Sequence, residues 1–348
     1  MDLRRPQPDF EQFLKVLWRK GRPGHLPFYE HYASPEFIAA RTGTRIDRMG
    51  ANDPGYWNIF VDFWLGMGLD CIPMEIPLNC PRAAGHGAAS EGSEAFAMIR
   101  TWEEYEKYPW PSESCPLEFK HFETVAGLLP DGTKIVGGVC MGPYEWTSQL
   151  MGVMGMSFAL VDSPGLVEAV FERIGGLIVS ADRQIATMDA VGALRQGDDL
   201  GFKTATFLPP EKLREVVFPT YKKVAEIAHA NGKPFILHSC GNLAEVYEDL
   251  IEDCKIDAKH SFEDGIMPVT DFKRKYGRRI TPLGGLDVDV ICRNSRDDIR
   301  AYARRHIEEC FTNSDGYWAL GTGNSLTDYM PVENYIAVLE EGIEVTSC

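Results

Sequence analysis

Short apolar runs alternate with longer amphipathic segments through the second half of the chain. Residues 134–140 and 234–238 are mostly apolar, which predicts strands buried on both faces. Residues 166–185 and 213–228 instead place apolar side chains at the spacing of one helical face, which predicts helices. Further short apolar runs predict strands at residues 193–197, 258–262, 280–283 and 317–320.

The alternation of strands and helices is typical of a parallel sheet covered by helices. Two weaker candidates, at residues 26–28 and 71–74, bring the number of strands to about eight, which favours a closed TIM-type (β/α)8 barrel over an open sheet. We therefore predict an α/β fold in which residues 1–348 form a single barrel domain. An N-terminal extension should precede the first strand, and residues 80–92 and 109–116, rich in glycine or proline, should be loop insertions.

The charge of the chain limits the classes of partner. Its 51 acidic and 35 basic residues give a formal net charge of −16, so a nucleic-acid partner is not expected. The sequence has no run of about 18 apolar residues and no apolar segment behind its first charges, so it predicts neither a membrane span nor a signal peptide. Nine scattered cysteines are then typical of a cytoplasmic protein with reduced thiols.

One histidine and one cysteine stand two residues apart at the end of a predicted strand. His238 closes the run 234–238 and Cys240 follows it, so both side chains point to the same face of an extended segment. Catalytic groups of a TIM barrel lie at the carboxyl ends of its strands. Zn²⁺ accepts both imidazole nitrogen and thiolate sulfur as ligands. Taken alone, the pair is equally compatible with a structural role.

Carboxylates near other strand ends are candidates to complete the site. Glu263 ends the next predicted strand, and neighbouring strands of a barrel end side by side, so its carboxylate is the predicted third ligand. A His–Cys–Glu set leaves one position open, as in catalytic zinc sites. Asp198 and Asp199 follow the strand at 193–197. We predict a catalytic role for Asp199, as a proton relay or as a partner of a ligand, with helix capping as the alternative for either residue.

Several residues near the expected mouth of the barrel are candidates for contact with a substrate. They follow or end predicted strands, and packing or loop roles are equally compatible with each: Tyr29, His31, Met74, Asn324 and Ser325. His260 stands three residues before Glu263, so strand alternation places the two side chains on opposite faces. This favours a structural role for His260.

Five motifs resemble the uroporphyrinogen decarboxylase superfamily. They are Gly197-Asp-Asp-Leu-Gly201, Leu208-Pro-Pro-Glu-Lys-Leu213, Pro219-Thr-Tyr-Lys222, Gly232-Lys-Pro-Phe-Ile-Leu-His-Ser-Cys-Gly241 and Thr327-Asp-Tyr-Met-Pro-Val-Glu-Asn334. The His-x-Cys-Gly in the fourth motif is similar to the zinc-dependent branch, the cobamide-linked methyltransferases and O-demethylases. The resemblance extends over residues 20–345. It implies a (β/α)8 barrel, a zinc ion and methyl transfer to or from a separate corrinoid protein.

Two departures from the superfamily pattern narrow the implied chemistry. Its decarboxylases carry an arginine-rich segment after the first strand, whereas residues 26–35 contain no arginine, which argues against porphyrinogen decarboxylation. Its thiol-methylating members carry a third zinc ligand, a cysteine, in the last strand loop, whereas residues 321–325 read Gly-Thr-Gly-Asn-Ser. Asn324 and Ser325 are therefore candidates to bind a substrate or to take the position of that ligand. This loop resembles the one in methyl-ether demethylases.

The resemblance and the open site together imply a zinc-dependent methyltransferase. It would take the methyl group from a small methoxylated substrate, an aromatic ether among the candidates, and pass it to a corrinoid (cobalamin) carried by a partner protein. Two alternatives stay open. One is methyl transfer from a methylcorrinoid to a thiol or another acceptor, and the other is a non-catalytic accessory protein that binds metal or corrinoid. The sequence determines neither the substrate nor the oligomeric state, and a homodimer is one of the states left open.

Overall fold

A computed structural model describes residues 2–83 and 94–346, and within these ranges six strands form one parallel sheet. The strands are β1 (Cys71–Pro77), β2 (Lys134–Cys140), β3 (Val191–Gly197), β4 (Phe235–His238), β5 (Ala258–His260) and β6 (Thr281–Pro282). Their order in space follows their order in the chain. The register places Gly197 opposite His238, and His238 opposite His260. The carboxyl ends of β3, β4 and β5 therefore lie side by side.

Two further extended segments complete the barrel. The chain around Phe28 pairs in parallel with Leu320, and the chain around Ala319 pairs on its other side with Leu283, directly after β6. The eight strand positions predicted from the sequence thus correspond, in the described ranges, to six strands and two bridged segments. The predicted α/β fold of the TIM type is confirmed.

One side chain from each of the eight segments packs into a single apolar cluster inside the barrel: Tyr29, Cys71, Val136, Ala193, Ile236, Ala258, Leu283 and Ala319. Helix α1 (Phe10–Trp18) adds Phe10, Phe13 and Leu17 to this cluster. The amide of Phe10 donates to the carbonyl of Gly132, just before β2, so α1 lies across the amino ends of the strands. This interior layer closes the bottom of the barrel and leaves the carboxyl ends as the open mouth.

Helices surround the sheet. They are α2 (Pro35–Thr42), α3 (Tyr56–Gly66), α4 (Trp102–Lys107), α5 (Lys120–Ala126), α6 (Pro143–Met151), α7 (Val153–Asp162), α8 (Pro164–Ala186), α9 (Pro210–Lys212), α10 (Phe218–Ala230), α11 (Val269–Tyr276), α12 (Val288–Arg293), α13 (Arg296–Ile307) and α14 (Val332–Thr346). Short 3-10 helices lie at Ile46–Arg48 and Glu94–Phe96, and π-helical turns at Leu213–Val217, Asp249–Asp253 and Glu308–Thr312.

The predicted helix over residues 213–228 is present with a change of pitch. The π-helical turn Leu213–Val217 leads into α10, and Pro219 lies in the first turn of that helix. Proline has no N–H and therefore cannot donate a hydrogen bond to a carbonyl in the preceding turn. The π-helical turn lies where that hydrogen bond is missing. Residues 109–116 form neither helix nor strand, as predicted, whereas residues 84–92 of the other predicted insertion lie outside the described residues. None of the described helices combines the length and apolarity needed to span a bilayer.

A buried carboxyl group ties the two chain-end segments of the barrel together. Glu30 accepts hydrogen bonds from the amide of Thr322 at 2.6 Å, from its hydroxyl at 2.7 Å and from the hydroxyl of Tyr335 in α14 at 2.7 Å. Burial raises the pKa of Glu30 to about 7, although these three hydrogen bonds lower it. Glu30 therefore fixes the loop that contains Thr322 against the first strand segment.

Candidate metal centre

His238, Cys240 and Asp199 meet at the carboxyl ends of β3 and β4. Nε2 of His238 lies 3.5 Å from Sγ of Cys240 and 3.6 Å from Oδ1 of Asp199. One potential ligand atom from each residue lies within 4.8 Å of the other two. His238 is buried at the end of β4, whereas the side chain of Asp199 is 41% exposed in the loop after β3. The group therefore faces the mouth of the barrel.

The loops after β3 and β4 hold each other in place. Gly241 has a φ of +84°, and a Cβ there would lie 2.1 Å from the carbonyl carbon of Gly201, so only glycine fits this contact. The amide of Cys240 donates to Oδ1 of Asp199 at 2.8 Å. The hydroxyl of Ser239 accepts from the amide of Leu200 at 3.1 Å. These contacts fix the position of Asp199 relative to Cys240.

The three donors fit a zinc ion. At the usual zinc bond lengths, ligand atoms on a tetrahedron lie roughly 3.3–3.6 Å apart, which agrees with the 3.5 Å and 3.6 Å measured from Nε2 of His238. Burial raises the pKa of the Cys240 thiol, and Asp199 raises it further, so a thiolate here requires a cation beside it. Burial lowers the pKa of His238, and His260 and Lys259 act in the same direction, which leaves a neutral imidazole.

A second group of nitrogen donors, His31, His238 and His260, is not arranged for a common ion. The rings of His31 and His238 stack with centroids 3.8 Å apart and 16° between their planes. Lone pairs of imidazole lie in the ring plane, so stacked rings direct them in parallel rather than toward one point. Nδ1 of His238 also lies 2.7 Å from Nδ1 of His260, which commits that nitrogen to a hydrogen bond. Of the two groups, the one that contains Cys240 and Asp199 therefore has the geometry that better suits a common ion.

A buried ion pair lies next to the histidines inside the barrel. Nη2 of Arg195 is 3.1 Å from Oε2 of Glu75, and the two side chains are 2% and 11% exposed. Burial raises the pKa of Glu75, and the charge of Arg195 opposes this shift. Gly197 leaves room for the neighbouring ring, since a Cβ there would lie 3.2 Å from Nε2 of His31. The guanidinium of Arg195 is therefore paired with Glu75 inside the barrel and is not accessible to solvent.

A buried amine lies close to the ligand group. Nζ of Lys259 donates to the carbonyl of Ser239 at 3.3 Å and to the carbonyl of Ser261, and it lies 4.4 Å from the ring centroid of Phe262. Burial lowers the pKa of Lys259 to about 8, while Cys240 and Asp199 raise it. Lys259 therefore joins the loops after β4 and β5 and places a positive charge near the thiol and the carboxylate.

Glu263, the carboxylate predicted as the third ligand, does not lie in the group formed by His238 and Cys240. The structure places Asp199, rather than Glu263, beside His238 and Cys240. The strand predicted to reach residue 262 ends at His260, so Glu263 lies three residues past the strand end, in a turn, with its side chain exposed. The carboxylate of this group therefore comes from the loop after β3, whereas the sequence predicted one from the loop after β5.

Two of the expected substrate contacts are buried away from the mouth. Tyr29 is 0% exposed in the interior layer and stacks on Phe13 with ring centroids 5.6 Å apart. Met74 is 1% exposed and packs in the apolar layer between the sheet and the helices. Alternate residues of a strand point to opposite faces, so in β1 Glu75, and not Met74, lies on the inner face with Cys71. Neither Tyr29 nor Met74 can contact a substrate at the mouth.

The remaining expected residues lie at the site. His31 stacks on His238, as described above. The side-chain amide of Asn324 donates to Sγ of Cys240 at 3.4 Å, and the hydroxyl of Ser325 donates to Oδ1 of Asn324 at 3.2 Å. Asn324 thus contacts the thiol from the last strand loop, where relatives were expected to carry a cysteine.

The two neighbouring aspartates have different roles. The carboxylate of Asp198 accepts from the amides of Tyr144 and Glu145 at 3.1 and 2.9 Å, at the start of α6, and from the hydroxyl of Tyr221 at 2.7 Å. This is the capping alternative considered above. Asp199 faces the ligand group.

Sequence reasoning did not identify His260 as part of the site. His260 is 0% exposed, and its Nδ1 lies against His238 as described. The available signal was the register, because β4 and β5 both end in histidine and these histidines pair directly. Alternation counted from Glu263 was misleading, since Glu263 is not in the strand.

A cavity of about 740 Å³ lies away from this group, on the outer surface between α4, α8 and α10. Its lining includes Glu168, Arg173 and Lys223. Its walls are formed by helices rather than by strand ends, where barrel enzymes carry their chemistry. We therefore do not assign it to the metal centre.

Comparison with known proteins places the chain in a family. No curated protein matches it. Among solved structures, a uronate isomerase from Bacillus halodurans aligns with 96% of this chain and 86% of its own, with 10% sequence identity and a TM-score of 0.30, a likeness too weak to support any conclusion. The family model described as Uroporphyrinogen decarboxylase (URO-D) matches residues 87–344, most of the chain, including β2 to β6 and the group of Asp199, His238 and Cys240. The chain therefore belongs to the uroporphyrinogen decarboxylase (URO-D) family.

Proposed function

We propose that this protein is a zinc-dependent methyltransferase that takes the methyl group of a methoxylated aromatic compound and passes it to a corrinoid held by a partner protein. The observation that carries the proposal is the group formed by Asp199, His238 and Cys240, whose donor atoms have the spacing of zinc ligands at the mouth of the barrel. Three protein ligands leave one position for a substrate atom, as catalytic zinc sites do.

The residues around this group have defined tasks in the proposed reaction. His238, Cys240 and Asp199 would hold the ion, and the amide of Asn324 would orient the thiolate through its contact at 3.4 Å. Lys259 offsets part of the negative charge of the thiolate and the carboxylate. A bound zinc ion would supply a Lewis acid for the ether oxygen of the substrate. The corrinoid of the partner would supply the electron pair that accepts the methyl group, so the bond between the ether oxygen and the methyl carbon would break and the oxygen would leave with a proton from solvent.

Exposed aromatic rings on the loop after β3 support an aromatic substrate. Phe202 and Phe207 are 45% and 47% exposed, and Phe207 stacks on Tyr144 with ring centroids 5.6 Å apart and 8° between the planes. The amide of Asn242 donates to the carbonyl of Phe202 at 2.8 Å, which holds this loop next to the turn after Cys240. The loop beside this turn therefore carries two exposed rings that offer a flat apolar contact for a methoxylated ring.

Porphyrinogen decarboxylation is not favoured by the same geometry. That substrate carries several carboxylates and needs free cations at the mouth, yet residues 26–35 contain no arginine. Arg195, which lies inside the barrel, is 2% exposed and paired with Glu75, so it is not available to an external carboxylate.

Metal analysis tests the proposal first. We expect one zinc per chain in the wild type, loss of the metal in Cys240→Ala, and no loss in Cys292→Ala, a half-buried cysteine of α12 that serves as the matched control. A wild-type protein without stoichiometric metal would refute the mechanism.

Methyl-transfer assays then separate the alternatives. Methoxylated aromatic compounds are incubated with the protein and cob(I)alamin, and formation of methylcobalamin and of the free phenol is measured. Activity seen only in the direction from methylcobalamin to a thiol would replace the proposed reaction with its alternative. Metal binding without turnover on a panel of ethers and thiols would favour a non-catalytic accessory protein.

A further inference from the structure

A continuous chain of hydrogen bonds leads from the last strand loop to the metal-facing nitrogen of His238. Nε2 of His260 lies 3.0 Å from the backbone carbonyl oxygen of Thr322. Nδ1 of His260 lies 2.7 Å from Nδ1 of His238, and Nε2 of His238 faces Cys240 and Asp199. Each of the four ring nitrogens of His238 and His260 therefore has a polar partner.

The carbonyl of Thr322, the first group in this series of hydrogen bonds, determines which ring nitrogens of the two histidines carry hydrogen. A carbonyl oxygen only accepts, so Nε2 of His260 carries a hydrogen. In a neutral His260 the other nitrogen, Nδ1, is then an acceptor, and Nδ1 of His238 must be the donor in the short contact between the rings. A neutral His238 that carries its hydrogen on Nδ1 has its lone pair on Nε2, the atom that faces Cys240 and Asp199.

The opposite proton arrangement would place a charged imidazolium at His260. That ring is 0% exposed, and its two nitrogens contact a carbonyl oxygen and a second imidazole rather than a carboxylate. Burying an unpaired charge is costly, so both rings are neutral.

The surrounding backbone is built to keep these contacts. Gly284 has a φ of +62°, and a Cβ there would lie 2.1 Å from the carbonyl oxygen of Thr322 and 2.9 Å from Nε2 of His260. Glu30 holds Thr322 from the other side through its amide and its hydroxyl. The carbonyl that orients His260 is therefore fixed in position on both sides.

We propose that His260 is a positioning residue that holds His238 in the tautomer with hydrogen on Nδ1, so that Nε2 stays free to bind the metal ion. This inference rests on the proposed metal centre. His260 itself does not touch the ion or the substrate. It acts through His238, and it transmits the position of the Thr322 loop, and with it that of the neighbouring Asn324, to the metal site.

Nitrogen-15 NMR of the metal-free protein tests the tautomer without depending on metal binding. The chemical shifts and long-range couplings of the His238 ring distinguish a hydrogen on Nδ1 from one on Nε2. We expect the hydrogen on Nδ1 in the wild type, and mixed tautomers in His260→Leu, which has no acceptor. A hydrogen on Nε2 of His238 in the wild type would overturn the inference, whatever the metal content of the protein.

Metal affinity, measured by competition with a chromophoric chelator for Zn²⁺ and by the visible spectrum of bound Co²⁺, tests the consequence. Partners that orient metal-binding histidines contribute about 10–100-fold in affinity, and we expect a loss of this size in His260→Leu. His260→Asn, whose side-chain oxygen can accept from Nδ1 of His238, should recover most of it. His306→Leu, which removes another buried histidine bonded to a carbonyl, is the matched control and should bind metal as the wild type does.

The outcomes separate the two proposals. Equal affinity in His260→Leu and the wild type would overturn the role of His260 while leaving the metal centre intact. A wild type that binds no metal would reject the proposed function, and the tautomer measurement would then decide on its own whether His260 fixes His238. If His260→Leu fails to fold, the comparison of His260→Asn with the wild type takes its place, and a loss beyond 10-fold in this variant would count against the inference.

Discussion

The buried carboxyl of Glu30 predicts a pH dependence of stability that one substitution can isolate. Burial raises the pKa of Glu30 from 4.5 to about 7 in the folded chain. Below pH 4.5 the group is protonated in both states, and between these values only the unfolded chain ionises. The contribution of Glu30 to stability is therefore greatest below pH 4.5, falls as the pH rises toward 7 and is constant above it. Each pKa unit corresponds to 1.36 kcal/mol, so the fall amounts to about 3 kcal/mol.

Glu30→Gln removes this titration and keeps a side chain that can accept from Thr322. The free energy of unfolding of both proteins is measured by urea denaturation between pH 4.5 and pH 8, and the difference is plotted against pH. The wild type should lose about 3 kcal/mol relative to Glu30→Gln over this range. Other titrating groups, such as Asp198, are present in both proteins and cancel. Glu333→Gln on the exposed surface of α14 is the control and should give a flat difference. A flat difference for Glu30→Gln as well would refute the reasoning.

Three further predictions address the metal centre and its surroundings. Asp199→Asn should weaken zinc binding by more than about 100-fold, which exceeds the contribution of residues that only orient a ligand. Glu263→Gln should bind zinc as the wild type does in the same competition titration. The reverse result would restore the ligand set expected from the sequence. Phe207→Ala should lower kcat/KM for a methoxylated aromatic ether by about 3- to 10-fold, the size of one aromatic contact, without changing metal content; an unchanged kcat/KM would remove this ring from the substrate site. Gly138→Ala places a Cβ 1.8 Å from the carbonyl oxygen of Arg195 and should lower the free energy of unfolding in urea by more than about 1–3 kcal/mol, the usual cost of overpacking; a wild-type value would contradict the observed strand spacing.

The strands could be predicted from the sequence because burial on both faces leaves a direct signal. Residues 134–140 and 234–238 are mostly apolar, and both became strands at nearly those bounds. The runs at residues 26–28 and 317–320 also predict strands, although the structure pairs them only through isolated bridges. The juxtaposition of His238 and Cys240 followed from the two-residue repeat of an extended chain, which depends on no distant contact.

The rest of the site depends on where strands end, and the sequence places such ends only to within a few residues. Strand β5 stops at His260, two residues earlier than predicted, so Glu263 lies in an exposed turn. Which of Asp198 and Asp199 faces the donor group depends on where α6 begins, because the first amides of this helix bind Asp198. The spacing of residues along the sequence determines neither the end of β5 nor the position of α6.

The interior of the barrel explains why the polar residues of the site were hard to recognise individually. The inward positions two residues above Ala193, Ile236 and Ala258 in the apolar layer are Arg195, His238 and His260. Each of these three strands therefore contributes one polar inward residue beyond its apolar one, and no single strand shows a pattern. The polar layer exists only when the barrel closes, because the partners of every member stand on other strands: Glu75 for Arg195, and His260 for His238. Since the orientation of His238 depends on this layer, a change that shifts one strand should alter the proposed metal binding before it unfolds the protein.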